Sequence, residues 1–315
     1  MLGALRLTAR GALPTMRCMT RIAANGIDIE YDTFGDRSAA PLLLVMGLGA
    51  QMISWDEEFC GLLADRGHYV VRYDNRDVGL STRMESAGMP NVAAAMEARS
   101  QGRPVDNAPY TLDDMAADGM GLLDALEIGE AHIVGASMGG MIVQAMAINH
   151  PERVLTLTSI MSTTGRPDLP PARDEAMAVL LTPAPNEREA NIEHRVKSSL
   201  VIGSKRHHDE AGVRAMAAKS FDRAYYPIGM ARQIVGIMAS APRHEALGAV
   251  RVPTLVIHGA DDPLVPVEGG KDTAASVPGA ELLILQDMGH DLPRPLWPLI
   301  VEAIARNTSR VAARA

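Results

Sequence analysis

The feature of this chain that most constrains its fold is the pentapeptide at 135–139, which reads Gly-Ala-Ser-Met-Gly. An apolar run precedes it at 131–134, and a helical pattern follows it at 140–147. Strand, sharp turn and helix are the setting of a nucleophile elbow, in which the turn holds one serine hydroxyl clear of a sheet. The flanking glycines are needed because a Cβ atom there would collide with the neighbouring strand or helix. The pattern predicts Ser137 as a nucleophile toward carbonyl carbon, and an ordinary strand-to-helix turn is the plain alternative.

Size and composition favour one large α/β domain. The chain has 315 residues, of which 47% are hydrophobic, which allows a sizeable core with an inserted subdomain. The net charge of −8 and the lack of a basic stripe argue against nucleic acid as a partner. The two cysteines, Cys18 and Cys60, make no disulfide framework, and no apolar run approaches the length of a membrane span. We therefore expect a cytoplasmic protein without a membrane span.

Residues 1–21 are expected to form a flexible N-terminal extension. Before Asp28 the chain has four arginines and no acidic residue, as organellar presequences do. A disordered extension is one alternative, and a true start at Met16 or Met19 is another. Arginines interrupt the apolar run that a secretory signal would need. An organellar presequence therefore stays open beside the cytoplasmic expectation.

Short β-rich runs alternate with helical patterns along the rest of the chain. This alternation predicts an α/β fold, with a mostly parallel sheet covered by helices on both faces. Thr111 and Asp114 predict a capping box at the start of one helix. The pattern at 27–33 is typical of an exposed strand. The predicted strands are 27–33, 41–46, 68–73, 131–134, 154–160, 253–258 and 281–285, and the predicted helices are 55–66, 111–126, 140–150 and 295–306.

A long interruption of this rhythm covers 162–245. It opens with several prolines, continues with helical patterns, and carries a good share of the aromatic side chains in a chain that is only 3% aromatic. We interpret it as a helical cap inserted into an α/β core made of 22–161 and 246–307. A tail is expected at 308–315.

A serine nucleophile needs a base, and the base needs an acid that orients it. Behind an elbow of this kind the order along the chain is serine, acid, histidine. The strand after the interruption leads to Asp261 and Asp262, at the sheet edge where doubly wound folds build their sites. Asp262 is the better candidate because Pro263 would end the strand beside it, and Asp261 stays the rival. His290 is the one histidine beyond them and is predicted to be the base, with a surface turn and a surface histidine as the plain alternatives.

The negative charge that forms on a substrate oxygen needs backbone donors. One should be the N–H of Met138, directly after the nucleophile. The second usually comes from the loop after the strand at 41–46, which here reads Met-Gly-Leu-Gly. Its glycines permit close backbone approach, and we predict the Leu48 N–H as the donor. A glycine-rich turn without a chemical role is the alternative.

The segment at 72–81 reads Arg-Tyr-Asp-Asn-Arg-Asp-Val-Gly-Leu-Ser. Its acidic and basic side chains are close together in the sequence. We expect them to form an internal ion-pair network that braces the loop rather than a functional site.

These motifs together resemble an α/β-hydrolase-fold enzyme of the Ser-Asp-His kind, a serine hydrolase or esterase. Within that family the chain is most similar to the aclacinomycin methylesterase group, which likewise has Met-Gly where most relatives have His-Gly before the oxyanion donor. The resemblance does not extend to the cap. The matching pieces, in family order, are 46–48, 72–81, 135–139, 259–266 and 289–290.

The resemblance implies an α/β-hydrolase fold and a catalytic triad. Ser137 would be the nucleophile, Asp262 the orienting acid and His290 the base. The backbone N–H groups of Leu48 and Met138 would form the oxyanion hole.

We therefore expect a carboxylic ester hydrolase that forms an acyl-enzyme on a small to medium apolar ester. Neither a metal nor an organic cofactor is needed by this chemistry. The same triad also serves C–C bond hydrolases, perhydrolases and acyltransferases, and a non-enzymatic ligand receptor of the same fold is a further alternative. Ser137 disfavours dehalogenase and epoxide hydrolase chemistry, since those relatives carry an aspartate at the elbow. The oligomeric state stays open, with a homodimer as one option.

Overall fold

The structure is a computed structural model that describes residues 20–106 and 108–311. Residues 1–19, which hold most of the predicted N-terminal extension, lie outside it. The boundary predicted at 21 falls inside a strand, because the first strand already begins at Thr20. The tail predicted at 308–315 begins inside a helix, since the last helix runs through Ser309 and Thr308 is buried, and residues 312–315 lie outside the described part of the chain.

The described residues contain one eight-stranded sheet. The strands, in chain order, are β1 (Thr20–Ala24), β2 (Ile27–Phe34), β3 (Ala40–Val45), β4 (His68–Tyr73), β5 (Ala131–Ala136), β6 (Val154–Ile160), β7 (Thr254–Gly259) and β8 (Glu281–Leu285). Their order across the sheet is β1-β2-β4-β3-β5-β6-β7-β8. β2 pairs antiparallel with β1 and β4, whereas all the other neighbours are parallel. The mostly parallel sheet predicted from the sequence is confirmed.

Helices cover the sheet and fill the long connection between β6 and β7. Those before β6 are α1 (Glu57–Ala64), α2 (Val92–Ser100), α3 (Leu112–Ala125) and α4 (Met138–Asn149). Those between β6 and β7 are α5 (Asp174–Leu181), α6 (Arg188–Ile202), α7 (Glu210–Arg223), α8 (Pro227–Ala239) and α9 (His244–Leu247). After β7 come α10 (Val267–Ser276) and α11 (Trp297–Ser309). In residues 20–106 and 108–311, no helix combines the length and apolarity needed to cross a bilayer.

The strand and helix predictions agree with this structure in most places. β4, β6 and β8 have the predicted bounds, and the capping box of Thr111 and Asp114 is present at α3. The exposed strand predicted at 27–33 is wrong in its burial, because β2 lies between β1 and β4 and buries Ile29 and Phe34. The sequence patterns did not predict β1, α2 or α10.

The sheet is apolar on both faces because helices cover both. In β3, Leu43 and Val45 belong to the hydrophobic cluster that includes α3 and α4, whereas Leu42 and Leu44 belong to the cluster that includes α1 and α11. Alternate residues of a strand point to opposite faces, so a strand that packs helices on both sides reads as one continuous apolar run. The parallel strands then end at a common carboxyl edge, where the loops after β3, β5, β7 and β8 meet.

The segment at 72–81 forms buried ion pairs. The partner of each is outside the segment, so the pairs do not form the internal network that was predicted. Two of its charged side chains pair with the core. Two others, Asp74 and Asp77, pair with arginines of α7 and α8 and so join the predicted cap to the sheet. The pairs are Arg72–Asp32 (2.9 Å), Arg76–Asp118 (2.6 Å), Asp74–Arg223 (2.7 Å) and Asp77–Arg232 (2.9 Å).

The opposite, amino-terminal edge of the sheet contains two buried histidines, His68 and His132, whose rings are 5.8 Å apart. Thr156 Oγ1 lies 2.9 Å from Nδ1 of His132. Burial disfavours the charged imidazole and, with a smaller contribution from His68, lowers the pKa of His132 to about 4. The folded protein therefore keeps this ring neutral at a pH where an unfolded chain would protonate it.

We predict that the free energy of unfolding falls as the pH is lowered from 6.5 to 4. Below pH 6.5 the histidine of the unfolded chain binds a proton, whereas His132 in the folded protein stays neutral down to about pH 4. Acidification therefore favours the unfolded state, and stability is lost. This one group accounts for about 3 kcal/mol. Denaturant unfolding at several pH values gives the unfolding free energy as a function of pH. Its fall between pH 6.5 and 4 should be smaller for His132→Asn than for the wild type. An equal pH dependence of the unfolding free energy in the wild type and His132→Asn would contradict the assignment.

Candidate active site

Ser137 lies in the sharp turn between β5 and α4, with φ 56° and ψ −120°. This left-handed backbone is unfavourable for a residue with a side chain and must be imposed by the surroundings. The Ser137 N–H donates to the carbonyl of Ile160 in β6 over 2.9 Å, and the Ser162 hydroxyl donates to the Ser137 carbonyl over 2.8 Å. The main chain of the serine is thus held on the neighbouring strand and on the loop that follows it.

The two flanking glycines are required by space, as the sequence pattern predicts. A Cβ atom on Gly135 would lie 2.1 Å from the carbonyl oxygen of Gly139. A Cβ atom on Gly139 would lie 2.1 Å from the carbonyl oxygen of Val45 in β3. The backbones of strand β5, helix α4 and strand β3 therefore pack directly against one another. This close packing favours the sharp turn at Ser137.

The structure brings together the three side chains that the sequence order singled out. Nε2 of His290 lies 2.9 Å from Ser137 Oγ, and Nδ1 of His290 lies 2.7 Å from Asp262 Oδ2. A carboxylate can only accept hydrogen bonds, so Nδ1 carries the proton and Nε2 is the acceptor for the serine hydroxyl. The arrangement can take a proton from the serine and stabilise the resulting imidazolium.

Asp262, and not its rival Asp261, faces the histidine. Oδ1 of Asp262 accepts from the backbone N–H groups of Leu264 and Val265, both at 2.9 Å, and its side chain is fully buried. Asp261 is exposed. Pro263 does not end the strand beside Asp262 as predicted: β7 already ends at Gly259, and the turn after the strand orients the carboxylate.

A second histidine, His258, lies beside the acid. Its Nε2 is 2.8 Å from the Val265 carbonyl, to which it donates, and 3.6 Å from Asp262 Oδ2. Burial lowers the pKa of His258, although the Val265 carbonyl and Asp262 oppose this effect. The neutral ring therefore packs beneath the acid without competing for its hydrogen bond to His290.

The loop of His290 is fixed by the end of helix α6. The His290 N–H donates to the Ile202 carbonyl over 2.7 Å, and the Gly289 N–H donates to Ser204 Oγ over 2.9 Å. Oδ1 of Asp291 accepts in turn from the Ser204 N–H over 3.0 Å. No sequence motif indicated Ser204, because its partners lie 85 residues or more along the chain.

The turn after β3 lies directly against the serine. A Cβ atom on Gly47 would be 3.1 Å from Ser137 Cβ and 3.6 Å from Ser137 Oγ. Leu48 follows Gly47 in this turn, and Met138 is the first residue of α4. Their roles as oxyanion donors stay a prediction. Nowhere in the described part of the chain do three His, Cys, Asp or Glu side chains come together as metal ligands would.

The fold and this arrangement define a class of protein. The family model described as alpha/beta hydrolase fold matches residues 40–293, and the chain belongs to that family. The match runs from the start of β3 to beyond His290 and so includes the elbow, the connection between β6 and β7, and the turn after β7.

Two curated relatives are methylesterases. Rhodomycin D methylesterase DnrP of Streptomyces peucetius is 30% identical over 92% of this chain and 98% of that protein. Rhodomycin D methylesterase DauP of Streptomyces sp. (strain C5) is 29% identical over 91% of this chain and 97% of that protein. The crystal structure of the enol-lactonase from Burkholderia xenovorans LB400 superposes with a TM-score of 0.71, at 21% identity, over 92% of this chain and 100% of that one. The last likeness establishes the shared fold, and the first two support ester hydrolysis as the class of reaction.

We predict that Gly135→Ala destabilises the protein by about 1–3 kcal/mol or more, because the new methyl group has no space beside Gly139. Gly61→Ala is the matched control. It lies inside α1, where no atom other than those of its chain neighbours and the helix backbone is within 4 Å of the added Cβ, and the substitution should stabilise by about 0.5–1 kcal/mol. Denaturant unfolding measures both. Equal stability of Gly135→Ala and the wild type would show that the elbow is not tightly packed.

Proposed function

We propose that this protein is a carboxylic ester hydrolase that works through an acyl-enzyme on Ser137. The observation that carries the proposal is the continuous hydrogen-bonded chain from Ser137 through His290 to the buried Asp262. The methylesterases among its relatives agree with this class of substrate.

In the first half of the reaction, Ser137 Oγ attacks the acyl carbon of the ester while its proton passes to His290 Nε2. Asp262 holds the imidazole in the required tautomer and stabilises the imidazolium. The tetrahedral intermediate collapses, and the alcohol leaves with the proton from His290. The acyl group is then bound to the serine.

In the second half, water attacks the acyl carbon and gives its proton to His290. The second tetrahedral intermediate collapses to the carboxylic acid, and Ser137 regains its proton from His290. In both intermediates the negative oxygen lies against the N–H groups of Leu48 and Met138. Removing one such donor typically costs about 3–4 kcal/mol of barrier.

Residues 162–245 are proposed to act as a cap over a core formed by 22–161 and 246–307. Such a cap excludes bulk water from the acyl-enzyme and selects the substrate. Met230 of α8 packs beside Gly49, since a Cβ atom on that glycine would lie 2.9 Å from Met230 Cγ. An apolar side chain thus borders the turn at 46–50, here called the oxyanion turn. This neighbour supports a small to medium apolar ester as the substrate.

Ser137→Ala should abolish turnover of p-nitrophenyl acetate and p-nitrophenyl butyrate while the thermal unfolding midpoint stays close to that of the wild type. The reason is that only the nucleophilic oxygen is removed.

A fluorophosphonate probe should label Ser137, as peptide mapping can establish. A burst without sustained release in the wild type would favour a ligand receptor, and a wild-type rate in the variant would remove Ser137 from the mechanism.

The neighbouring aspartates provide a matched pair. Asp262→Asn should lower kcat by about 10⁴-fold, because an amide at this position favours the wrong tautomer of His290. Asp261→Asn should keep kcat within a factor of about two, since that side chain is exposed. Steady-state kinetics on the same ester compares the two. A larger loss in Asp261→Asn would reassign the orienting acid.

A further inference from the structure

The oxyanion turn is held from the core side by one buried amide. Nδ2 of Asn75 donates to the Met46 carbonyl over 2.9 Å. Within the turn, the Ala50 N–H donates to the Gly47 carbonyl over 3.2 Å. Gly49 has φ +64°, a backbone conformation that favours glycine. A turn with so few internal bonds depends on outside contacts for its exact orientation.

The second outside contact comes from the insertion between β6 and β7. Oε1 of Gln233, in α8, accepts from the Gly49 N–H over 2.8 Å, and its Nε2 donates to the Arg76 carbonyl over 2.9 Å. Gln233 is fully buried, with 0% of its surface exposed. One amide therefore satisfies a donor on the oxyanion turn and an acceptor on the 72–81 segment at the same time.

Helix α8 is itself fixed against the core, so Gln233 has a defined position. Arg232 Nη1 lies 2.9 Å from Asp77 Oδ1, and both side chains are buried. A Cβ atom on Gly229 would lie 1.9 Å from the Asp77 carbonyl oxygen, so the helix backbone touches the 72–81 segment directly. The amide of Gln233 is thus carried on a rigid support that belongs to the cap and not to the sheet.

We propose that Gln233 is a positioning residue for the oxyanion hole, so that the cap helps to build the catalytic geometry. The inference rests on the proposed function. Binding the Gly49 N–H to Gln233 fixes the peptide that follows Leu48 and hence the direction of the Leu48 N–H beside Ser137. Without this acceptor a partly buried N–H and a buried carbonyl lose their partners, and the turn must shift to regain them. Small displacements of a catalytic group cost up to about 100-fold in rate.

The first test is Gln233→Met, which keeps the volume of the side chain and removes both hydrogen bonds. We expect kcat to fall roughly 10- to 100-fold with KM changed less than about threefold, since the defect affects the transition state. Inhibition by an aryl trifluoromethyl ketone, which forms a tetrahedral oxyanion on the serine, should weaken by a similar factor. The matched control is Asn191→Leu, which removes a buried cap amide that donates to Pro185 and does not contact the turn. It should retain wild-type kcat and inhibition.

Amide hydrogen exchange tests the positioning independently of turnover. In Gln233→Met, exchange should accelerate in the peptide that covers 47–50, and in Asn191→Leu it should not. Gln233→Glu keeps the acceptor for the Gly49 N–H and should keep protection of that peptide. Wild-type kcat, inhibition and exchange in a folded Gln233→Met would overturn the inference while leaving the esterase proposal intact. A wild-type protein without turnover or fluorophosphonate labelling would instead remove the proposed function, and the exchange comparison would still decide whether Gln233 holds the turn.

Discussion

The rest of the site depends on one steric constraint: β5 and α4 meet β3 so closely that the serine between them has no ordinary backbone conformation available. A Cβ atom on Gly135 or on Gly139 would lie 2.1 Å from the carbonyl oxygen of Gly139 or of Val45, respectively. Ser137 takes φ 56° because its neighbours leave no alternative, and its hydroxyl then projects from the carboxyl edge of the sheet. Every other element of the site is arranged around that fixed oxygen.

The insertion between β6 and β7 contacts the site and the 72–81 segment through helices α6, α7 and α8. The end of α6 accepts from the His290 N–H, α8 presents Gln233 to Gly49, and both α7 and α8 place arginines on buried aspartates of the 72–81 segment. Buried pairs of this kind contribute little net stability when formed, but breaking one leaves an uncompensated charge and costs about 3–5 kcal/mol. The insertion therefore has one strongly preferred position on the core, and that position is set together with the geometry of the turn after β3 and of the His290 loop.

Much of the fold could be predicted from local patterns. β4, β6 and β8 have the predicted bounds, because each is a short run rich in β-branched, aromatic or aliphatic residues that is bounded by turns. Ser137, Asp262 and His290 could be selected because strand-end loops of a parallel sheet meet at one edge in a known order. Helix α2, which buries only Ala95 and Ala98, and strand β1, which buries only Ala24, gave no comparable signal. The pairing of Asp74 and Asp77 was also inaccessible, since their partners are 149 and 155 residues away in the chain.

The sequence by itself determined the α/β architecture, the elbow and the short set of side chains that reach the carboxyl edge, because these follow from periodicity, glycine spacing and chain order. Only the tertiary structure decided which of two adjacent aspartates faces His290, and which residues of the insertion between β6 and β7 contact the turn after β3 and the His290 loop. Asp262 and Asp261 differ by one position and not in chemistry, so the turn that buries one and exposes the other makes the choice. Gln233 reads as one more helical residue until the packing of α8 brings its amide to Gly49, because hydrogen-bond partners distant in sequence are set by packing alone.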